Sequence, residues 1–176
     1  MQRNKYAHPE RECRYLVCNL PTEIMSRTDF RRIIDLYITG TRLRLRRIED
    51  SNGLVIDRKF GQKYLKDGEF DSTLMTNFYI DEAEYQALSV LEGSKLVKRR
   101  YPYIFEQQKF SIDVFEGELS GLLLCEKELE EGENPPFNLP SFVTREVTHE
   151  VFFTGGSLAN TTAHELAERM RDECRS

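Results

Sequence analysis

No stretch of this chain approaches the roughly 18 to 20 consecutive apolar residues that a membrane-spanning helix requires. The opening MQRNKYAHPERE also lacks the apolar core of a secretory signal. Both absences lead to the expectation of a cytoplasmic protein with no membrane partner. Cysteine is sparse: Cys13, Cys18, Cys125 and Cys174 form no C-x-x-C pair, and none falls at zinc-site spacing with His8, His149 or His164. The four are expected to be reduced thiols that mostly serve packing. There is no Walker A loop and no G-x-G-x-x-G turn, so the common glycine-rich phosphate cradles are excluded. Without an internal repeat or a long low-complexity tract, the 176 residues read as one domain, 1–176, large enough to bury a core without disulfide or metal staples.

What the chain does have is charge. Thirty acidic and 25 basic residues leave a formal net charge of −5, which argues against a nonspecific grip on nucleic acid or an anionic surface. The pair Arg46-Arg47 hints at RNA, but the acidic total and the lack of an aromatic stacking motif argue against general nucleic-acid binding. Turn signals at Asn52-Gly53, Lys66-Asp67-Gly68 and Gly155-Gly156, with an acidic loop over 130–136, divide the chain into short runs, so strands are expected to dominate. Two helices are expected as well: one capped by Asp81 with Glu84 as its capping-box partner and running to about Leu91, the other from about Thr161 to Arg171. A third segment, Arg27 to Tyr37, reads as a short helix followed by a strand that leads into Thr41-Arg42-Leu43-Arg44.

The charges repeat every second residue, the period that sends side chains to one face of a strand. Glu10, Glu12 and Arg14 share a face; so do Arg42, Arg44 and Arg46, with Leu43 and Leu45 opposite. Lys59 and Lys63 flank Gly61, Lys98 is paired with Arg100, Asp113 alternates with apolar neighbours, and Glu126 and Glu128 end a strand that begins in leucines. A solvated sheet face explains any one of these strands. It explains less well why most of them are sorted by sign, because like charges that close repel and need compensation. A sheet curled into a barrel with a polar lumen supplies it: Arg14, Arg44, Arg46, Lys59, Lys63, Lys98 and Arg100 would cradle several phosphates. Glu10, Glu12, Glu126 and Glu128, with Asp113, would form an all-oxygen set suited to Mg²⁺ or Mn²⁺.

At these same residues the chain resembles a known family. Glu10-Arg11-Glu12-Cys13-Arg14-Tyr15-Leu16-Val17 resembles the E-x-E-x-K-[FY]-L-V opening of the CYTH, or triphosphate tunnel metalloenzyme, superfamily. Thr41 to Arg46 is similar to its R-x-R strand, Lys59 to Tyr64 to its lysine strand, and Lys98-Arg99-Arg100-Tyr101 to its K-T-R-Y. Ile112 to Leu122, Cys125 to Glu128 and Glu146-Val147-Thr148 follow in the family's order, so the likeness covers about residues 10 to 160. It implies an all-β-dominated (α+β) fold, an eight-stranded antiparallel closed barrel with a few peripheral helices. It also implies metal-dependent hydrolysis of triphosphates, with relatives that cleave inorganic triphosphate, thiamine triphosphate or RNA 5′-triphosphate or cyclise ATP; a nucleoside triphosphate is a further candidate substrate, and Arg14, Glu10 and Glu12 are expected as catalytic residues, with Asp113 orienting on the metal side. Two departures stand out. Arg14 replaces the family lysine, which closes any role for a neutral amine but keeps phosphate binding. Phe152 to Ala159 replaces a Y-x-N-x-x-L-A stretch.

Three functions follow: a triphosphatase, an ATP-cyclising enzyme of the same fold, and a polyphosphate-binding module that has lost catalysis. The reading also allows a homodimer. Other signals are set aside. His164-Glu165 opens like a zincin helix but lacks the second histidine, His149 runs out of phase with Glu146 and Thr148, and Cys13 faces away from Glu12 and Arg14.

Overall fold

The computed structural model of the chain describes residues 6–66, 69–171 and 173; the side chains of 64–72 lie outside that description, as do Asp67-Gly68 of the second turn signal and Cys174. Nine strands dominate the described residues: β1 (His8–Val17), β2 (Arg31–Ile38), β3 (Leu43–Glu49), β4 (Val55–Lys66), β5 (Glu69–Tyr79), β6 (Gly93–Phe105), β7 (Gln108–Phe115), β8 (Leu123–Leu129) and β9 (Val143–Glu146). Four helices accompany them: α1 (Thr22–Met25), α2 (Glu82–Ser89), α3 (Gly155–Leu158) and α4 (Ala163–Met170). None of the described helices is long and apolar enough to cross a membrane.

Every strand pairing is antiparallel, in the order β5-β4-β3-β2-β6-β7-β8-β1-β9. A further pairing of β5 with β1, from His8↔Met75 to Arg11↔Ser72, closes β1–β8 into an eight-stranded barrel. On that edge of β1 the extra strand β9 takes over, opposite Tyr15 to Val17. Closure removes the exposed sheet edges and gives every strand an inner and an outer face.

The capping chemistry expected at Asp81 is present: its side chain accepts from the Glu84 N–H while Glu84 reaches back to Asp81 N, and α2 ends at Ser89. Thr162 and Glu165 form the same box on α4. The helix expected from Arg27 is absent. The short helix lies earlier, at Thr22–Met25, where Pro21 precedes the first turn, and β2 begins at Arg31. Gly155-Gly156 opens the short helix α3, capped by Thr154, instead of a loop. The thiol expectation also needs correction: Cys13 and Cys125 are free and buried, but Cys18 is disulfide-bonded.

Two apolar clusters frame the barrel. On its outer wall Tyr15, Tyr101, Ile112 and Cys125 pack beneath Ile24, Phe30, Leu139 and Phe142. The other cluster plugs one end of the lumen. The inward faces of four strands change there from charge to hydrocarbon, as Arg14 gives way to Leu16, Lys98 to Leu96, Asp113 to Phe115 and Glu126 to Leu124. Val147, Phe153, Leu158 and Leu166 from the C-terminal segment complete this plug. Leu16, Leu122 and Leu124 are fully buried in it, each contributing about 1.5–3 kcal/mol through burial. Arg145 and Arg169 lock the segment through ion pairs with both Glu150 and Glu173, and Arg169 lies 5.5 Å above the Phe153 ring.

Candidate active site

A cavity of about 390 Å³ occupies the lumen beyond the plug. Its cationic lining comes from Arg11 and Arg14 on β1, Arg42 just before β3, Arg44 and Arg46 on β3, Lys63 on β4, and Lys98 and Arg100 on β6. Its acidic lining is Glu10 and Glu12 on β1 and Glu126 and Glu128 on β8. Cross-strand register explains why they meet: Arg14 stands opposite Glu126 and Glu12 opposite Glu128.

One wall of the cavity is set by two fully buried carboxylates. Asp35 on β2, 1% exposed, accepts from Arg46 Nε at 2.6 Å and Arg46 Nη2 at 2.7 Å, and lies 3.9 Å from Arg44 Nε. Burial by itself raises the pKa of such a carboxyl; the opposing charges of Arg46 and Arg44 outweigh it and hold Asp35 down at about 2. The same pairing raises Arg46 although burial pulls it the other way. Asp113 on β7, 0% exposed, accepts from Arg100 Nε at 2.7 Å and Nη2 at 2.6 Å and also from Lys98 Nζ. These bidentate forks fix the planes of two guanidinium groups without using their remaining donors.

On the other wall the pairs are wetter. Lys63 Nζ lies 3.2 Å from Glu10 and 3.5 Å from Glu12, with all three side chains 25–29% exposed. Arg14 donates to Glu12, and its Nε lies 3.6 Å from Glu126. Burial and the neighbouring Glu126 push the Glu12 pKa up, but Lys63 and Arg14 bring it below the ordinary value. Glu126, which also pairs with Arg100 and lies 3.9 Å from Lys98, is likewise lowered: burial opposes the shift and the surrounding cations prevail. The exposed Glu128 carboxylate has no hydrogen bond or ion pair among the described residues. Arg14 Nη1 is buried and lacks a hydrogen-bond partner.

Two of the expected site residues sit elsewhere. Lys59 does not line the cavity: it pairs in register with Arg46 but lies toward the strand's start, its Nζ 4.9 Å from the Tyr79 ring centre and 3.9 Å from Asp57. Asp113 shares the inward phase of β7 but does not line the cavity; its carboxylate lies behind the lining and accepts from Lys98 and Arg100. Sequence reasoning passed over Asp35 and Tyr37, both of which line the cavity. The available signal was a lone acid in Ile33-Ile34-Asp35-Leu36-Tyr37, an uncompensated charge in a strand otherwise fit for burial. Thr148 was missed too; its hydroxyl accepts from the Arg14 N–H at 2.9 Å and donates to Glu146 at 2.7 Å.

No group of three or more His, Cys, Asp or Glu side chains converges tightly enough among the described residues to hold a metal ion by itself. The four lining glutamates nonetheless fit a hard cation in kind, being all-oxygen donors on two adjacent strands with Glu128 unengaged. A small divalent cation such as Mg²⁺ keeps several waters and takes one or two carboxylates plus substrate phosphate oxygens, so a complete protein cage is not required.

No protein-family model and no curated protein matches the chain. Solved structures do. A crystal structure of the hypothetical protein NE1496 aligns with 24% identity and a TM-score of 0.57, covering 87% of this chain and 99% of that one. A structure of the inorganic triphosphatase NE1496 aligns with 23% identity and a TM-score of 0.54, covering 86% and 95%. A looser likeness, TM-score 0.44 at 14% identity over 70% of this chain and 81% of the other, is to HpAC1 from Hippeastrum, described as a putative adenylyl cyclase with a dominant triphosphatase activity. With its barrel closed through β1 and β5 and charged side chains converging inside, the chain shares the fold of NE1496, an eight-stranded antiparallel closed barrel.

Proposed function

We propose that the protein is a divalent-metal-dependent triphosphatase, with inorganic triphosphate as the first substrate to test and organic triphosphates as its alternatives. The observation that carries this reading is the convergence of Arg14, Arg44, Arg46, Lys63, Lys98 and Arg100 on one cavity that Glu10, Glu12, Glu126 and Glu128 also line. The inorganic triphosphatase NE1496 shares the fold, which supports the choice of substrate.

In this mechanism Arg44, Arg46, Lys98 and Arg100 hold the non-reacting phosphates, already oriented by Asp35 and Asp113, so little reorganisation accompanies charge development in the transition state. Arg14 and Lys63 contact the phosphate nearest the glutamates, where Arg14 acts as a permanent cation and not as a proton carrier. Glu10, Glu12, Glu126 and Glu128 would hold Mg²⁺ or Mn²⁺, which when bound neutralises phosphate charge and makes water a better nucleophile at neutral pH. No covalent protein nucleophile is needed. The buried thiols agree: burial pushes Cys125 up to about 12, so it stays protonated.

The test is a panel of inorganic, nucleoside and thiamine triphosphates with Mg²⁺ and Mn²⁺, read as phosphate against pyrophosphate. Phosphate release that needs the metal and is abolished by Glu128→Gln, with the circular dichroism spectrum retained, is the expected result. Turnover unchanged in that variant would overturn the assignment. Pyrophosphate from ATP would indicate cyclisation, and tight binding without turnover would indicate a binding module.

A further inference from the structure

Carboxylates offset much of the tunnel's positive charge. Its cationic lining is Arg14, Arg44, Arg46, Lys63, Lys98 and Arg100, with Arg11 and the exposed Arg42. Against these stand Glu10, Glu12, Asp35, Glu126 and Glu128 in the lining and Asp113 held against Lys98 and Arg100. A polyanion entering this space meets repulsion as well as attraction unless some of the carboxylates are silenced.

The carboxylates are of two kinds. Asp35 and Asp113, 1% and 0% exposed, cannot withdraw, because release would leave a buried ion unpaired. Glu10 and Glu12 have side chains 28% and 25% exposed, and their shared partner Lys63 is 29% exposed, so solvent can replace either member of those pairs. Such water-accessible pairs are worth only about 0.2–1 kcal/mol, which makes the exchange cheap. Arg14, the other partner of Glu12, retains a buried Nη1 donor that the internal pairing does not satisfy.

We infer that Glu10 and Glu12 are internal competitors of the phosphate ligand, engaging Lys63 and Arg14 until a divalent cation taken up by the same carboxylates releases those two side chains to the anion. Metal and triphosphate then bind with positive coupling, each raising the affinity for the other by the same factor. The inference rests on the triphosphate reading above, and its failure is distinguishable from the failure of that reading.

Isothermal titration calorimetry of inorganic triphosphate into chelator-treated protein tests it without relying on turnover. Glu12→Gln and Glu10→Gln are each expected to bind metal-free triphosphate more tightly than the unsubstituted protein, by up to about fivefold, and to gain less when Mg²⁺ is added. Metal-free affinity equal to or below that of the unsubstituted protein in these variants overturns the inference. Glu10, toward the start of β1, pairs with Lys63, so Glu10→Gln decides the matter should Glu12→Gln fail to fold. Absence of triphosphate binding by all three proteins, with and without Mg²⁺, overturns the triphosphate reading and the inference together.

Discussion

The two walls of the tunnel carry the same chemistry at different depths. Along β2, β3, β6 and β7, the carboxylates of Asp35 and Asp113 are sealed from water and tied to arginine and lysine by short, mostly bidentate bonds. Along β1, β4 and β8, Glu10, Glu12 and Lys63 meet at 3.2–3.5 Å in contact with solvent. The difference teaches that an ion pair in this barrel has one of two uses. A dry pair fixes the direction of a cation; a wet pair can be exchanged for a ligand.

Removing one acid from each wall should separate the two uses most strongly. Asp113→Ala takes from Lys98 and Arg100 the buried anion that holds both most closely, leaving them Glu126, and is expected to cost about 3–5 kcal/mol of stability in urea unfolding. Glu10→Ala removes a water-accessible pair and is expected to change stability by less than about 1 kcal/mol. Equal losses would erase the distinction between the walls.

Acid should act on the dry wall in a defined window. The Asp35 pKa is held at about 2 in the fold against an ordinary value of 3.8, a depression produced by Arg46 and Arg44 against the opposing effect of burial. A depressed carboxyl contributes stability above its unfolded pKa and loses it as pH falls through the folded one, here between about 4 and 2. The contribution is about 2 kcal/mol. The stability advantage of the unsubstituted protein over Asp35→Asn should therefore shrink by about that amount between pH 5 and pH 2. A gap that does not change with pH would show that the Asp35 charge does not stabilise the wall.

Much of this arrangement was legible because strand alternation is a local property. Glu10-x-Glu12-x-Arg14 and Arg44-x-Arg46 had to share faces once their segments became strands. Closure was less accessible: β1 meets β5 through pairs such as His8↔Met75, far apart in sequence, and it was implied by the need to compensate like charges and by the family likeness, not by any local pattern. The β6–β7 hairpin turns through Glu106 and Gln107 at φ of 47° and 65°, with no glycine or asparagine to announce it. The misplaced first helix has a similar cause. Phe30, Ile33, Ile34 and Tyr37 satisfy a helical period, but Ile33 and Ile34 are β-branched, and pairing with β3 and β6 on both sides settled the segment as a strand. Asp35 was overlooked because a single acid carries no period.

Alternation also gives the face of a strand and not the depth along the tunnel, which is why Lys59 was grouped with the cavity cations. It stands four residues from Lys63 on β4, with Gly61 between them, and its ammonium group lies over the Tyr79 ring beside Asp57. A Cβ at Gly61 would collide with Asn77 and with the Thr76 carbonyl, so β5 packs tightly against β4 at that point, and Lys59 lies outside the lining. The smallest effect on ligand binding is therefore expected from Lys59→Ala, less than about threefold in triphosphate affinity, because a screened charge at this distance adds little. Lys63→Ala, four residues further along the same face, is expected to weaken binding by about tenfold or more through loss of a direct charge-assisted contact. Calorimetry on the two variants side by side measures depth in the tunnel. A Lys59→Ala loss as large as that of Lys63→Ala would mean that the phosphate chain reaches past Arg46 to the strand's opening residues.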